Sequence, residues 1–368
     1  MRGEPSGTME KGKIVENFSA AAASYDANAP AQLKAAEILS RRLFQIRESI
    51  PPGDILEIGC GTGLFSQRLI ERIGRKDAKP RRIVLTDASD AMLTATRQRL
   101  EQHQHAYLKQ LREGDRLEYH CLDAGQIAAG ALLPVSGGEH KSAGFALIAS
   151  SFALQWLSDP CAVIRQLMEL LAPGGVLLLS VPGAESFPEW RESCVRAGSP
   201  YTGNRLPSAE ELGAVAAGCG ATSFIESEAV PVEYPSARAF FLSLRRSGAH
   251  TRTGVEAPAD TEIGKGGDSS ESTGRRSGKP LPSANVFAVS RHWDAVAGDK
   301  TRATFQMVTA SFQLTGSRFV VCDDIVEAGE AAGCVQGAPV ANGGKVAAEP
   351  SPPSHLIHPA ARGRGHGG

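Results

Sequence analysis

The sequence lacks the features of several large classes of protein. No apolar run approaches the roughly 20 residues of a membrane span, and Met1–Lys13 has no apolar stretch of the kind found in secretory signals. The 39 basic residues are balanced by 40 acidic ones, for a net charge of −1. That balance removes the electrostatic argument for binding nucleic acid or an anionic membrane. We therefore expect a cytoplasmic protein with neither of those partners.

Paired metal ligands are also missing. None of the seven cysteines forms a CxxC pair, and the nine histidines are scattered. The single HxxH, His355 to His358, lies in a stretch rich in glycine and proline, with no third ligand in view. We expect buried free thiols and no metal site.

Two long segments contain no Phe, Trp or Tyr, namely 247–283 and 323–368. Such segments cannot bury enough apolar area to offset the entropy lost on ordering. We predict a flexible insertion at 247–283, a disordered tail at 323–368 and a flexible N-terminus at 1–13. The remainder is an N-terminal helical segment, 14–50, and one folded domain made of 51–246 plus 284–322.

Short apolar strands alternate with helices through most of this domain. Strands are predicted at Asp54–Cys60, Arg82–Asp87, Arg116–Asp123, Phe145–Ser151, Val176–Val181, Ser223–Tyr234 and Ala303–Leu314. Helices are predicted at Ala31–Ile50, Leu64–Ile73, Ser89–Leu100, Asp159–Leu171 and Ala209–Ala217. The spacing is typical of βαβ units, and it predicts a mostly parallel sheet covered on both faces and closed by a late antiparallel pair.

A glycine-rich turn joins the first strand to its helix, with the sequence Glu57-Ile-Gly-Cys-Gly-Thr-Gly63. Glycines allow a ligand to approach the backbone, and the following helix N-terminus offers free N–H groups. The dinucleotide pattern requires glycine at position 64, which is leucine, and no lysine follows as in a P-loop. The turn therefore does not predict a phosphate site.

Two acids end the next two strands. Asp87 lies where a carboxylate reaches a ribose diol, and Asp123 lies at the neighbouring strand end. Two acids without a cationic clamp suit a ligand that has ribose and adenine, a positive charge and no phosphate. S-adenosylmethionine is such a ligand, and it is the predicted cofactor.

At these residues the chain resembles the class I S-adenosylmethionine-dependent methyltransferases, as it does at Leu170–Gly175. The resemblance implies a Rossmann-like fold with a seven-stranded sheet, an N-terminal helical lid and a small insertion on the substrate side. The implied cofactor-binding residues are Gln32, Glu57, Gly59, Cys60, Gly61, Gly63, Asp87, Ala88, Met92, Asp123, Ala124 and Ser150.

A narrower resemblance is to the malonyl-carrier-protein O-methyltransferases of biotin synthesis. It is carried by Ile14–Gln32, Ser151–Trp156, Gly203–Leu206 and Tyr234–Ala249. It implies methylation of the malonyl carboxylate on acyl carrier protein or CoA by a monomeric enzyme, with Tyr25 on the lid and Gln155 and Trp156 beside the acceptor. The long insertion after Ala249 and the tail have no counterpart in that family. Another small acceptor, or a non-enzymatic assembly factor of this fold, remain alternatives.

A malonyl carboxylate that enters a water-poor pocket requires a cationic partner, for which a planar guanidinium is best suited. Arg205, Arg245 and Arg246 are the arginines within the family-like segments. We expect Arg205 to hold the carboxylate, because it follows a glycine turn and precedes a helix start. Arg245 or Arg246 is the alternative.

Overall fold

A computed structural model of the chain describes residues 6–74, 81–126, 144–249 and 283–314. The predicted tail, 323–368, and residues 250–282 of the predicted insertion lie outside the described residues. No helix within the described ranges is long and apolar enough to cross a membrane.

Seven strands form one sheet in the order β3-β2-β1-β4-β5-β7-β6. They are β1 (Ile55–Ile58), β2 (Ile83–Asp87), β3 (Leu117–Cys121), β4 (Phe145–Ser151), β5 (Leu171–Pro182), β6 (Ala221–Tyr234) and β7 (Thr301–Leu314). The first five strands run parallel, and β7 is antiparallel to both β5 and β6. The predicted α/β fold with its late antiparallel pair is confirmed.

Eleven α-helices occur in the described ranges. They are α1 (Ser6–Ala21), α2 (Tyr25–Asn28), α3 (Pro30–Ile46), α4 (Leu64–Ile73), α5 (Asp90–Gln102), α6 (Ala106–Glu113), α7 (Pro160–Glu169), α8 (Pro188–Arg196), α9 (Ala209–Gly218), α10 (Ala237–Arg246) and α11 (Ser283–Ala297). Helices α7 and α9 cover one face of the sheet, and α3 to α6 cover the other. Both faces are therefore buried, as parallel strands with near-continuous apolar sequences require.

The helix boundaries differ from the sequence prediction in several places. Helix α1 already begins at Ser6, inside the segment predicted to be flexible. Leu170 and Leu171 do not extend α7, because Leu171 pairs with Phe145 and opens β5 ahead of a bulge. The sequence analysis also did not predict α6, α8, α10 and α11.

The register of the parallel strands places the predicted site on one edge. Ile58 of β1 is aligned with Thr86 of β2 and Ser150 of β4. The residues directly after these aligned positions, Gly59, Asp87 and Ser151, therefore converge at the carboxyl edge, where ligands bind in open α/β sheets.

Candidate cofactor and active site

A cavity of about 140 Å³ lies at this edge, beneath the N-terminal segment. Its walls comprise the glycine-rich turn, the ends of β2, β3 and β4, and one side of α1. Twelve of the predicted site residues line it: Tyr25, Gln32, Glu57, Gly59, Cys60, Gly61, Asp87, Ala88, Met92, Asp123, Ala124 and Trp156. Residues that the sequence analysis selected from separate segments therefore lie around one cavity.

The turn depends on glycine at two positions. Gly59 has φ +66°, and a Cβ there would lie 2.3 Å from the Cβ of Ala153. Gly61 has φ +56° with open space around it, so the requirement there is one of backbone conformation. The turn can thus pass close to the segment after β4 and leave its own backbone accessible to a ligand.

Helix α5 holds the turn from outside. The Thr96 hydroxyl donates to the Gly61 carbonyl at 2.6 Å, and Arg99 Nε donates to the Thr62 carbonyl at 2.7 Å. Gly63, the N-cap of α4, does not line the cavity. A side chain there would press on Thr96 and Arg99, with contacts at 3.2 Å. Gly63 therefore makes room for the two residues that fix the turn.

Asp87 connects the turn to the second strand. Its Oδ2 accepts the Gly61 N–H at 2.8 Å, and its Oδ1 accepts the Ser89 N–H at 2.9 Å. Burial raises the pKa of Asp87, while these backbone donors act in the opposite direction. Each carboxylate oxygen can accept a second hydrogen bond, so Asp87 retains the capacity to bind a diol.

Glu57 is the most deeply buried acid of the site, with 1% of its surface exposed. Its Oε2 has no hydrogen-bond partner among the described residues. Burial raises the pKa of Glu57 to about 8. An ionised carboxylate here is costly unless a cation lies nearby.

Asp123 lies at the predicted end of the third strand. Its Oδ1 accepts the Gly125 N–H at 2.7 Å, which begins the short turn Ala124–Gln126. Leu122, Asp123 and Ala124 all line the cavity. They place apolar and acidic atoms together on the side where an adenine ring was predicted.

The N-terminal segment covers the cavity with aromatic side chains. Tyr25 is buried, and Gln32 is a side-chain hydrogen-bond partner of its phenol. Burial, followed by the nearby Asp87 and Asp26, raises the pKa of Tyr25 well above its ordinary value. Tyr25 therefore stays a neutral phenol that can donate a hydrogen bond.

Phe18 completes the cover. Its ring lies 5.3 Å from that of Trp156, edge to face, and 6.3 Å from that of Tyr25. Sequence reasoning missed Phe18, together with Ile14 and Val15 of α1, which also line the cavity. The spacing of Ile14, Val15 and Phe18 places them on one face of a helix, and that signal could have identified them.

Two predicted residues at the end of β4 lie elsewhere. Gln155 does not line the cavity; its Nε2 donates to the Phe152 carbonyl at 2.7 Å and braces the turn that presents Trp156. Ser150 does not line the cavity, whereas Ser151, the next residue, does. Successive strand residues point to opposite faces, and Ser150 shares the face of Ile58, toward α7.

Arg205 is not where the sequence analysis expected it. Its guanidinium pairs with Glu211, the acid that also closes the capping box with Ser208, and Arg205 does not line the cavity. Arg245 and Arg246 are exposed at the end of α10. The next turn of that segment lies against α1, because a Cβ on Gly248 would be 2.9 Å from the Phe18 backbone nitrogen.

The cavity fits a ligand that carries a positive charge. Glu57, Asp87 and Asp123 face it, and its described lining includes no lysine, arginine or histidine. Within the described ranges, no group of three potential ligands is arranged to hold a metal ion. The donors and acceptors present suit an adenosine with a cationic substituent, as predicted for S-adenosylmethionine.

Comparison with known proteins agrees with this geometry. Residues 26–222, more than half of the chain, match the family model described as a methyltransferase domain. The malonyl-[acyl-carrier protein] O-methyltransferase of Magnetococcus marinus is 28% identical over 254 residues, which is 68% of this chain and 82% of the relative.

Two further relatives carry the same name. The protein of Alcanivorax borkumensis is 31% identical over 67% of this chain and 74% of its own length. The protein of Serratia marcescens is 30% identical over 68% of this chain and 83% of its own length.

Replacement of Asp87 tests the ribose assignment. Asp87→Ala should weaken S-adenosylmethionine binding by about 3 kcal/mol, roughly a hundredfold in Kd, because charge-assisted hydrogen bonds are lost. Asp90→Ala, an exposed acid in the first turn of α5, is the matched control and should bind as wild type does. Calorimetric titration measures both, and an unchanged Kd for Asp87→Ala contradicts the assignment.

Replacement of Glu57 tests the buried charge through pH. The folded-state pKa of about 8 exceeds the ordinary 4.5, so the ligand-free protein loses stability as pH rises from about 4.5 to about 8. Glu57→Gln cannot ionise and removes this loss. The free energy of unfolding of Glu57→Gln, relative to wild type, should therefore increase across that window and level off above it.

Denaturant titrations of both proteins at pH 6, 7 and 9 measure this difference, and groups common to the two proteins cancel. Glu57→Gln should also bind S-adenosylmethionine more weakly at pH 9. A difference in stability that does not vary with pH contradicts the assigned pKa.

Proposed function

Because the chain belongs to the family of S-adenosylmethionine-dependent methyltransferases, we propose that it methylates the free carboxylate of a malonyl thioester on acyl carrier protein. The methyl ester masks a charge at the acyl end, so that chain-elongating enzymes can extend it toward a pimeloyl chain for biotin. The relatives that support this acceptor are named for that reaction. A monomeric state and a cytoplasmic location remain predictions from the sequence.

One observation supports a carboxylate as the acceptor, independently of the relatives' names. Apart from the acids assigned to the cofactor, no described residue that lines the cavity is suited to remove a proton from an acceptor. Histidine and lysine are missing from that lining, and burial raises the pKa of both Tyr25 and Cys60, which keeps them protonated. An acceptor that is already ionised at pH 7, such as a carboxylate, needs no general base.

The chain's own residues then act by binding and alignment. S-adenosylmethionine supplies an electrophilic methyl group on a sulfonium. Asp87 holds the ribose and Asp123 faces the adenine side, while Glu57 balances the positive charge. Tyr25, Phe18 and Trp156 exclude water above the cavity, which favours a displacement that depends on orientation.

Acceptor specificity tests this proposal. Labelled S-adenosylmethionine should transfer its methyl group to malonyl-carrier protein and give a base-labile ester, and acetyl-carrier protein, which lacks the free carboxylate, should remain unlabelled. Malonyl-CoA distinguishes recognition of the malonyl group from recognition of the carrier. Labelling of a phenol or quinone instead identifies another acceptor, and binding without transfer to any acceptor supports an assembly factor.

The arginines of α10 provide a second test. Arg205 is paired with Glu211, so we now assign recognition of the acceptor to Arg245 and Arg246. The double variant Arg245→Ala/Arg246→Ala should lower kcat/KM for malonyl-carrier protein by about 1–2 kcal/mol equivalent, because each exposed arginine contributes up to about 1 kcal/mol.

The affinity for S-adenosylmethionine should not change in that variant. Arg238→Ala, exposed on the same helix, is the matched control and should behave as wild type. If the loss appears in Arg205→Ala and not in the double variant, the sequence-based assignment is restored.

A further inference from the structure

Three side chains tie the N-terminal segment to the glycine-rich turn. Asp26 of α2 accepts the Thr62 hydroxyl on Oδ1 at 2.6 Å, and its Oδ2 pairs with Arg99 of α5. Arg99 Nε also donates to the Thr62 carbonyl at 2.7 Å. Each of the three residues is therefore bonded to the other two, and together we call them the Asp26–Thr62–Arg99 ring.

Asp26 and Arg99 lie outside the cofactor cavity, whereas Thr62 lines it. Tyr25, one residue before Asp26, is buried over the cavity, and Thr62 belongs to the turn that lines it. Arg99 belongs to α5, which is anchored to the turn a second time through Thr96. A fixed part of the scaffold thus holds α2 at the residue adjacent to its cavity-facing tyrosine.

We propose that the Asp26–Thr62–Arg99 ring keeps the N-terminal segment closed over the bound cofactor, and that Asp26 is a positioning residue that sets how fast the cofactor leaves. Asp26 does not touch the cofactor itself; it acts through Tyr25. The proposal depends on the cofactor site and is independent of which acceptor is methylated.

The exposure of the ring gives it a measurable signature. The Asp26 side chain is 47% exposed and that of Arg99 is 25% exposed. Dissolved salt therefore screens their attraction. Salt should speed cofactor release from the wild-type protein, and it should have little effect once the charge on Asp26 is removed.

A chase experiment on the full chain measures the release. The protein is loaded with labelled S-adenosylhomocysteine, mixed with an excess of unlabelled compound, and filtered at intervals. Asp26→Asn should increase the dissociation rate about tenfold, because it weakens two hydrogen bonds to a charged acceptor. The KM for S-adenosylmethionine should rise while kcat changes much less, since the reacting groups are untouched.

Thr62 supplies a matched pair that does not depend on charge. Thr62→Ser keeps the hydroxyl and should release the compound as wild type does, whereas Thr62→Val keeps the shape, loses the hydroxyl and should release it faster. Glu16→Gln, an exposed acid of α1, and Arg97→Gln, an exposed arginine of α5, are controls for charge and should match wild type.

The double variant Asp26→Asn/Arg99→Gln tests the ring as a unit. Its rate should fall well short of the product of the two single effects, because both changes break the same connection. Wild-type release by Asp26→Asn, equal release by the two Thr62 variants, or fully multiplicative effects in the double variant would each overturn the proposal.

Discussion

Buried carboxyl groups that the protein does not pair with a cation are the constraint on which the site depends. Glu57 and Asp87 are both placed at the carboxyl edge by the strands that carry them, and the described cavity lining offers no cationic side chain in return. Keeping such groups ionised in a partly apolar cavity costs free energy. The ligand itself must supply the missing charge, which selects for a sulfonium and against a phosphate.

The same constraint explains why different parts of the fold bind the cofactor and cover it. The sheet and α5 hold the acids and the turn rigidly, through hydrogen bonds that involve backbone groups of Gly61, Thr62 and Ser89. Two of the aromatic side chains that cover the cavity, Phe18 and Tyr25, come from the separate N-terminal segment. Rigid acids bind the cofactor in one orientation, and a separate cover allows it to enter and leave.

The strands and the cofactor loop could be predicted because their signals are local. Apolar runs, a glycine-rich turn and acids at strand ends lie within a few residues of one another, and the resemblance to known methyltransferases agreed with them. That Ser151 and not Ser150 lines the cavity was not predicted, because the sequence shows where a strand lies more clearly than which face a residue near its end occupies. The pairing of Arg205 with Glu211 was not predicted, because it depends on how one loop folds onto α9.

The contacts of the N-terminal segment could not be predicted from the sequence for a related reason. Asp26, Thr62 and Arg99 are distant in sequence, and no local pattern indicates that they contact one another, so only the folded chain brings them together. The aromatic side chains shared by α8, α10 and α11 likewise form one cluster with the ends of β6 and β7. No part of that cluster repeats at a period that would have predicted all three helices.

The close contact at Gly248 has a consequence for the order in which the cofactor and the acceptor bind. The loop that ends α10 leaves no room for a side chain between itself and the backbone of α1 at Phe18. The end of α10, which we propose receives the acceptor, therefore packs directly against α1, which covers the cofactor. This contact is complete only when α1 is closed over the cavity. We expect an ordered reaction in which the cofactor binds before the acceptor, and the demethylated cofactor leaves after the ester.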